Sequence, residues 1–475
     1  MKKLLCFLLT AVLLATSVVP TFAMSEPSWD TVWASEDTEA GLIMFVGSDE
    51  SERNFTWYTD DQNTPSVVVS TNSFLTDSDE YTGTSVKATE GDYANHVTVT
   101  DLEEDTVYYY KCISGDYESD VYSFKTVSDD EFKAVYMTDI HITQNSEENP
   151  DSLKNTSFNL NNTLEDALSK ESDISLILST GDQASDGLEC EYKAFTASPL
   201  LKSIPVATTI GNHDLKGAEY KTFTNLPNEY EKAAVSSYIG DDYWFVKGNV
   251  LFLVVDSNCA SGVDHRRFVK NAVESNPDVK WKVMMAHHDL YSGRIPHRES
   301  ENELLRMLWA PIVDEFGIDL VLLGHSHYYT VSNVLNNNKI AAPLESEMVD
   351  PNGTIYMVSC SINRPRDDDE IGLNEEIGFA YLTEEPTYNI LTCSEDSITV
   401  ESYEVGAEEP FNSYTLTKTT DDGGHEDNSN IFRNIFNGIV RFIGKIVAFF
   451  GNIGRLYDMR EDGYEVKIID GLLGR

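Results

Sequence analysis

Basic residues are scarce in this chain. Among 475 residues, 34 Lys and Arg stand against 80 Asp and Glu, a formal net charge of -46. A polyanion of that strength repels phosphate backbones, so general nucleic-acid binding is excluded. Cysteine is also scarce: there are six, with no C-x-x-C pair among them. That excludes a disulfide-dense scaffold and gives no cysteine-based metal spacing. Neither G-x-S-x-G nor H-E-x-x-H occurs, so the signatures of a serine-hydrolase elbow and a zinc-protease helix are missing. The apolar stretch Leu4 to Val19 has 16 residues, short for a bilayer span. What is present is a 41 % hydrophobic content with 24 Tyr and 21 Phe. This is enough for a sizeable core and leans toward β-structure.

Lys2 and Lys3 precede the apolar stretch, and Thr21-Phe22-Ala23 follows Pro20. This order predicts a signal peptide over residues 1–23 and a secreted, extracellular protein; an N-terminal transmembrane anchor is the alternative. Removal of that segment takes Cys6 with it and leaves five scattered cysteines. Residues 24–128 hold short β-branched and aromatic runs, such as Arg53–Tyr58 and Thr106–Cys112, separated by turn clusters. Such spacing predicts a small β-sandwich. Over 129–418 apolar runs alternate with helical patterns, which predicts a layered α/β domain. Leu160, Leu164, Ala167 and Leu168 mark one helix; Glu301–Leu308 marks a second, expected to end or kink near Pro311. A polar linker covers 419–430, and 431–475 is a basic amphipathic tail with Arg433, Arg441 and Lys445 opposite an apolar face. Two readings of the tail stand open: membrane-surface contact through 431–450, which would associate the protein with the cell surface, and docking on the protein's own body.

Five apolar runs lead to residues of metal-binding type. Phe132–Met137 leads into Asp139 and His141, and Ile174–Leu178 into Gly181-Asp182. Val206–Ile210 leads into Gly211-Asn212-His213-Asp214. Lys282–Met285 leads into His287-His288, and Leu320–Leu323 into Gly324-His325-Ser326-His327. Ligands gather beyond the carboxyl ends of strands in open α/β sheets, so distant segments can deliver side chains to one place. D-x-H or H-x-H alone is weak, and Gly-Asn-His-Asp alone is moderately specific. Together they hold six of the chain's ten histidines, which points to a metal site.

In this order, D-x-H, G-D, G-N-H-D, H and G-H-x-H resemble the motifs of the calcineurin-like metallophosphoesterases over residues 131 to 405. Tyr93–Cys112 and Tyr122-Ser123-Phe124-Lys125-Thr126 resemble the fibronectin-III-like N-terminal domain of purple acid phosphatases. The resemblance implies a four-layer αββα sandwich preceded by an all-β sandwich. It implies two divalent metal ions: Asp139, His141 and His327 on the first, Asn212, His287 and His325 on the second, and Asp182 bridging them. A mixed carboxylate, amide and imidazole set suits Mn, Fe or Zn better than Ca. The implied reaction is attack of a metal-bridging hydroxide on a phosphate ester. His213, next to Asn212, is expected as general acid with Asp214 orienting its ring, and His288, Arg294 and His297 are expected at the phosphate oxygens.

Two positions depart from the pattern. Purple acid phosphatases carry a tyrosine three residues after the bridging Asp, where it binds ferric iron; here the residue is Ser185, so a colourless site with two divalent ions is expected. Asp289 stands where the family often has proline. Segments 143–158, 215–243 and 259–278 read as rim loops. The expected function is a secreted, acid-phosphatase-like hydrolase of small phosphate monoesters. Action on nucleotide or lipid-headgroup diesters at the same site, and a non-catalytic surface binding protein, are the alternatives.

Overall fold

The computed structural model describes residues 26–128, 131–230, 242–259, 261–291, 299–365 and 374–419. The expected signal peptide, all of the linker and tail beyond Thr419, Arg294 and His297 lie outside them. Among the described residues, no helix is long and apolar enough to cross a membrane.

Two sheets form the body of the molecule. The larger runs through eleven strands in the order Glu347–Val349, Asn412–Thr417, Ser397–Glu404, Thr387–Ser394, Glu131–Met137, Ile174–Ser179, Val206–Thr208, Ile43–Val46, Arg53–Thr59, Tyr93–Val99 and Thr84–Lys87. The smaller has seven: Tyr243–Lys247, Val250–Val254, Trp281–Met285, Leu320–Leu323, Ile355–Val358, Tyr329–Ser332 and Ile377–Tyr381. Side chains alternate across a strand, so an all-apolar strand can serve two layers. Phe252, Val254, Val283, Met285 and Leu322 belong to one core with Phe132, Ala134, Leu176 and Leu178 of the larger sheet. Their neighbours Leu251, Leu253, Met284 and Val321 belong to a second core with Phe268, Val269, Leu308 and Trp309. These come from helices Gly262–Ser275 and Glu299–Phe316, which cover the outer face. Helix Ser152–Lys170 contributes Leu160, Leu164 and Ala167 to the first core. Helix, sheet, sheet and helix thus lie in four layers.

The N-terminal all-β part is joined to this body through one strand. In Ile43–Val46, Ile43 and Phe45 enter the first core, whereas Met44 and the preceding Leu42 enter the sandwich core with Phe55, Trp57, Val67 and Tyr110. Phe45 pairs in parallel with Val206, which makes the eleven-stranded sheet continuous across both parts. A second, five-stranded sheet closes the sandwich: Asp79–Thr82, Ser66–Ser70, Val107–Ser114 and Tyr117–Glu118, with Tyr122–Lys125 pairing Val107–Ser114.

Several expectations change. The chain enters this sandwich through helices Glu26–Trp33 and Glu36–Glu39 rather than strands. The helix containing Pro311 runs on to Phe316. A proline costs ~3 kcal/mol inside a helix, but Leu308, Trp309, Ile312 and Val313 on either side are buried and hold both halves down. Segment 259–278 is no loop, since 262–275 is a core helix, and 152–158 opens the helix that ends at Lys170.

Where the two parts meet, Glu50 lies buried between Arg53, at 2.7 Å, and Lys247, and accepts the Val127 N–H at 2.9 Å. Burial pushes the Glu50 carboxyl up, but the two cations outweigh it and hold its pKa at about 2, below the ordinary 4.5. Such a group adds stability above pH 4.5, and that contribution is lost as pH falls toward 2. The contribution is on the order of 3 kcal/mol. Glu50→Gln is expected to lower the urea midpoint at pH 7, because two buried cations lose their partner. It is also expected to flatten the decline in stability between pH 4.5 and 3; an unchanged midpoint and slope would contradict this account.

Candidate metal centre

The site lies where the apolar strands end. Asp139, His141, Asp182, His325 and His327 all have left-handed backbone, with φ of 48°, 50°, 51°, 74° and 62°. Non-glycine residues avoid this region at a cost of roughly 1–2 kcal/mol each. The turn it produces takes the chain off the strand and aims the side chain across the sheet ends. Main-chain bonds fix it: Asp139 N–H donates to Gly181 O at 3.0 Å, His141 N–H to Asp182 O at 2.8 Å, and Gly324 N–H to His287 O at 2.8 Å. Two glycines are required by close approach. A Cβ at Gly211 would sit 2.1 Å from Asp182 Oδ1, and one at Gly324 would sit 2.0 Å from Thr138 Oγ1 and 2.6 Å from Asp139 Oδ2.

The structure brings all seven expected ligands together. His141 Nε2 and His327 Nε2 are 3.1 Å apart, and lie 3.7 and 3.1 Å from Asp139 Oδ1. On the other side, His287 Nε2 is 3.0 Å from Asn212 Oδ1 and 3.2 Å from His325 Nδ1. Asp182 Oδ2 stands between the groups, 3.7 Å from His141 Nε2 and 3.4 Å from His287 Nε2. Asp139 Oδ1 is buried without a hydrogen-bond partner, a costly state unless a cation takes the lone pair. Ring nitrogens are likewise turned toward one another rather than toward donors. This donor set fits two metal ions sharing Asp182.

The surroundings tune these groups. Imidazole orientation is set from behind: Thr180 O lies 2.9 Å from His287 Nδ1, and Arg364 O lies 2.8 Å from His327 Nδ1. The His325 N–H and Thr138 Oγ1 donate to Asp139 Oδ2 at 2.7 and 2.8 Å, and His213 N–H donates to Asp182 Oδ1 at 2.8 Å. Burial raises the Asp139 and Asp182 carboxyls, but His327 beside the first and His287 beside the second hold both below the usual range. Burial lowers His287, yet the Asp182 charge lifts it to about 9, while burial holds His141 well below its ordinary value.

An open cavity of about 220 Å³ exposes part of the cluster, lined by Asp182, Asn212, His213, His325, His327, Arg364 and Pro365. His213 Nδ1 is 2.7 Å from Ser185 O and 2.8 Å from Lys216 Nζ. Asp214 does not orient that ring. Its carboxylate accepts Gly211 N–H at 2.8 Å, Ala184 N–H at 3.1 Å and the Tyr192 hydroxyl at 2.9 Å, so it braces the loop carrying Asn212. Burial and the Asp182 charge raise it to about 7. His288 is outside the cavity lining; its ring centre is 4.4 Å from that of His325 and its Nδ1 is 2.8 Å from Ser257 Oγ. The motif reading missed Arg364 and Lys216, which belong to no recognisable pattern of spacing.

Gly211→Ala and Gly324→Ala test the packing of the two carboxylates. Each is expected to lower bound metal affinity at least ~10-fold, as loss of an orienting contact does, with far-ultraviolet dichroism retained. Elemental analysis after metal loading and desalting reads the outcome; wild-type metal content in both variants would contradict it.

Comparison with known proteins adds to the geometry. Residues 132–329 match the family model described as calcineurin-like phosphoesterase, and residues 40–126 match purple acid phosphatase, N-terminal domain. Purple acid phosphatase 1 of Ipomoea batatas is 28 % identical over 159 residues, 30 % of this chain and 33 % of that protein. Purple acid phosphatase 15 of Arabidopsis thaliana is 25 % identical over 297 residues, 56 % of this chain and 52 % of that protein. The matched region thus spans between a third and about half of the length of these curated relatives. Among solved structures, purple acid phosphatase PPD1 of yellow lupin (Lupinus luteus) superposes with a TM-score of 0.67 at 15 % identity, covering 82 % of this chain and 77 % of that one. PhoD superposes at 0.54 and 12 % identity, covering 87 % and 99 %. At these identities the structures speak for the fold. The chain joins a purple acid phosphatase N-terminal domain to a calcineurin-like phosphoesterase domain.

Proposed function

We propose that this protein is a secreted metal-dependent phosphatase that hydrolyses small phosphate monoesters. One observation carries the reading: two carboxylates, one amide and four imidazoles meet around Asp182 Oδ2 at the floor of an open cavity. Two divalent cations held there would supply Lewis acidity, lowering the pKa of water and offsetting phosphate charge. Asp139, His141 and His327 would hold one and Asn212, His287 and His325 the other, with Asp182 shared. Arg294 and His297 would contact the phosphate oxygens in this reading, whereas His288, outside the cavity lining, would act only through its neighbour His325.

Departure of the alcohol needs a proton at the ester oxygen. His213, which lines the cavity, would deliver it. Ser185 O and Lys216 Nζ both lie against Nδ1, at 2.7 and 2.8 Å, so Nε2 is the ring nitrogen left to serve the substrate. His213 N–H donates to Asp182, so the backbone of the acid and the shared carboxylate move as one. Secretion rests on the order of Lys2, Lys3, the apolar stretch and Ala23.

Hydrolysis of 4-nitrophenyl phosphate by metal-loaded protein is expected to disappear with chelator and return on adding Mn or Zn; turnover that ignores chelator would end the metal reading. His213→Ala is expected to lower kcat by ~10²–10⁴ with both metals still bound by elemental analysis. Because Ser185 replaces a phenolate, the metal-loaded protein is expected to show no visible charge-transfer band, and such a band would refute the divalent assignment.

A further inference from the structure

The cavity carries a cation in its wall. Arg364 is half-buried in its wall, with Asp182, His213 and His327 among its neighbours there. Its backbone is pinned on both sides: Arg364 O accepts from His327 at 2.8 Å, and its N–H donates to Ser361 Oγ at 2.9 Å. Ser361 Oγ in turn donates to Asp139 O at 2.6 Å. The guanidinium therefore hangs from the same backbone that sets the ligands. Nη2 donates to Ser185 Oγ at 2.9 Å and reaches Thr143 Oγ1 at 3.5 Å. Both contacts leave from one nitrogen and both are to neutral hydroxyls; among the described residues no carboxylate pairs with this arginine. A carboxylate there would cancel its charge. Two hydroxyls hold the side chain in place and leave the charge available, in a chain whose acidic residues outnumber its basic ones by 80 to 34.

We infer that Arg364 binds the phosphate group of the substrate and makes the site selective for monoesters over diesters. The inference rests on the phosphoesterase reading above. A monoester phosphate offers three non-bridging oxygens and close to two negative charges at neutral pH. A diester offers two such oxygens and one charge, with a second carbon where the third oxygen would be. A guanidinium is always charged and presents planar, forked donors that match phosphate oxygens. Each donor and each unit of positive charge added to the cavity therefore favours the monoester. Arg364 is a substrate-binding and specificity-determining residue in this assignment, with Ser185 and Thr143 as its positioning residues.

The test uses the full chain loaded with metal, as wild type, Arg364→Gln and Arg364→Lys. Isothermal titration with inorganic phosphate measures binding without turnover. The ratio of kcat/KM for 4-nitrophenyl phosphate and bis(4-nitrophenyl) phosphate measures selectivity, and elemental analysis measures metal. The expected result is unchanged metal content, phosphate affinity lowered ~10–100-fold in Arg364→Gln, a similar loss of monoester kcat/KM, little change for the diester, and partial recovery in Arg364→Lys. Phosphate binding equal to wild type in Arg364→Gln overturns the inference, as does an equal fall for monoester and diester. Loss of metal in Arg364→Gln also overturns it, by assigning the residue to the metal centre. If the metal-loaded wild type hydrolyses neither ester, the phosphatase reading fails, while the phosphate titrations still decide whether Arg364 binds the anion.

Discussion

Two carboxylates buried side by side govern this structure. Burial raises the proton affinity of both, and the Asp182 charge raises that of Asp139 further. They remain ionised only because imidazoles, main-chain N–H groups and a hydroxyl are aimed at their oxygens. To aim them, five residues adopt left-handed backbone within one small volume. At 1–2 kcal/mol each, the strain sums to roughly 5–10 kcal/mol, comparable to the net stability of a typical domain. No loop could sustain that alone. Two buried sheets anchored directly behind the turns can, since displacing any turn would drag a strand through two hydrophobic cores.

The same argument explains why the strands are apolar on both faces. In Val250–Val254, Trp281–Met285 and Leu320–Leu323 one parity faces the opposing sheet and the other faces helices. A strand fixed from both sides cannot slip register, because a one-residue slip would exchange its two faces. The ligands that follow such strands inherit that precision, which is what a site built from five separate segments requires.

This is also why so much was legible in the sequence. A strand buried on both faces is a continuous apolar run, and the metal-type residues come just after it. Pattern and function are therefore read from one local signal. What escaped notice depends on tertiary contacts. The helix Gly262–Ser275 buries polar residues in its first turn: Asp264 and His265, the latter 2.7 Å from Asp242, sit where apolar residues would have announced a core helix. The helix Glu26–Trp33 is held by Trp29 against Phe158, far along the chain. Asp214 looked like a partner of its neighbour His213, yet its carboxylate turns to Gly211, Ala184 and Tyr192. Adjacency in sequence says little about side-chain direction on a turn. Arg364 had no motif to betray it, because the segment after Ile355–Val358 reaches the site through tertiary contacts such as the bridge between Ser361 and Thr138 and the bond from Ser361 Oγ to Asp139 O.

The strand Ile43–Val46 is made early and finished late. Its parallel partner, Val206, lies some 160 residues downstream of Phe45. During synthesis the first domain therefore emerges with one flank unpaired and with Ile43 and Phe45 bare, waiting for chain still inside the ribosome. The unit that assembles is the two domains together, and the order of the genetic text is not the order in which the molecule becomes whole.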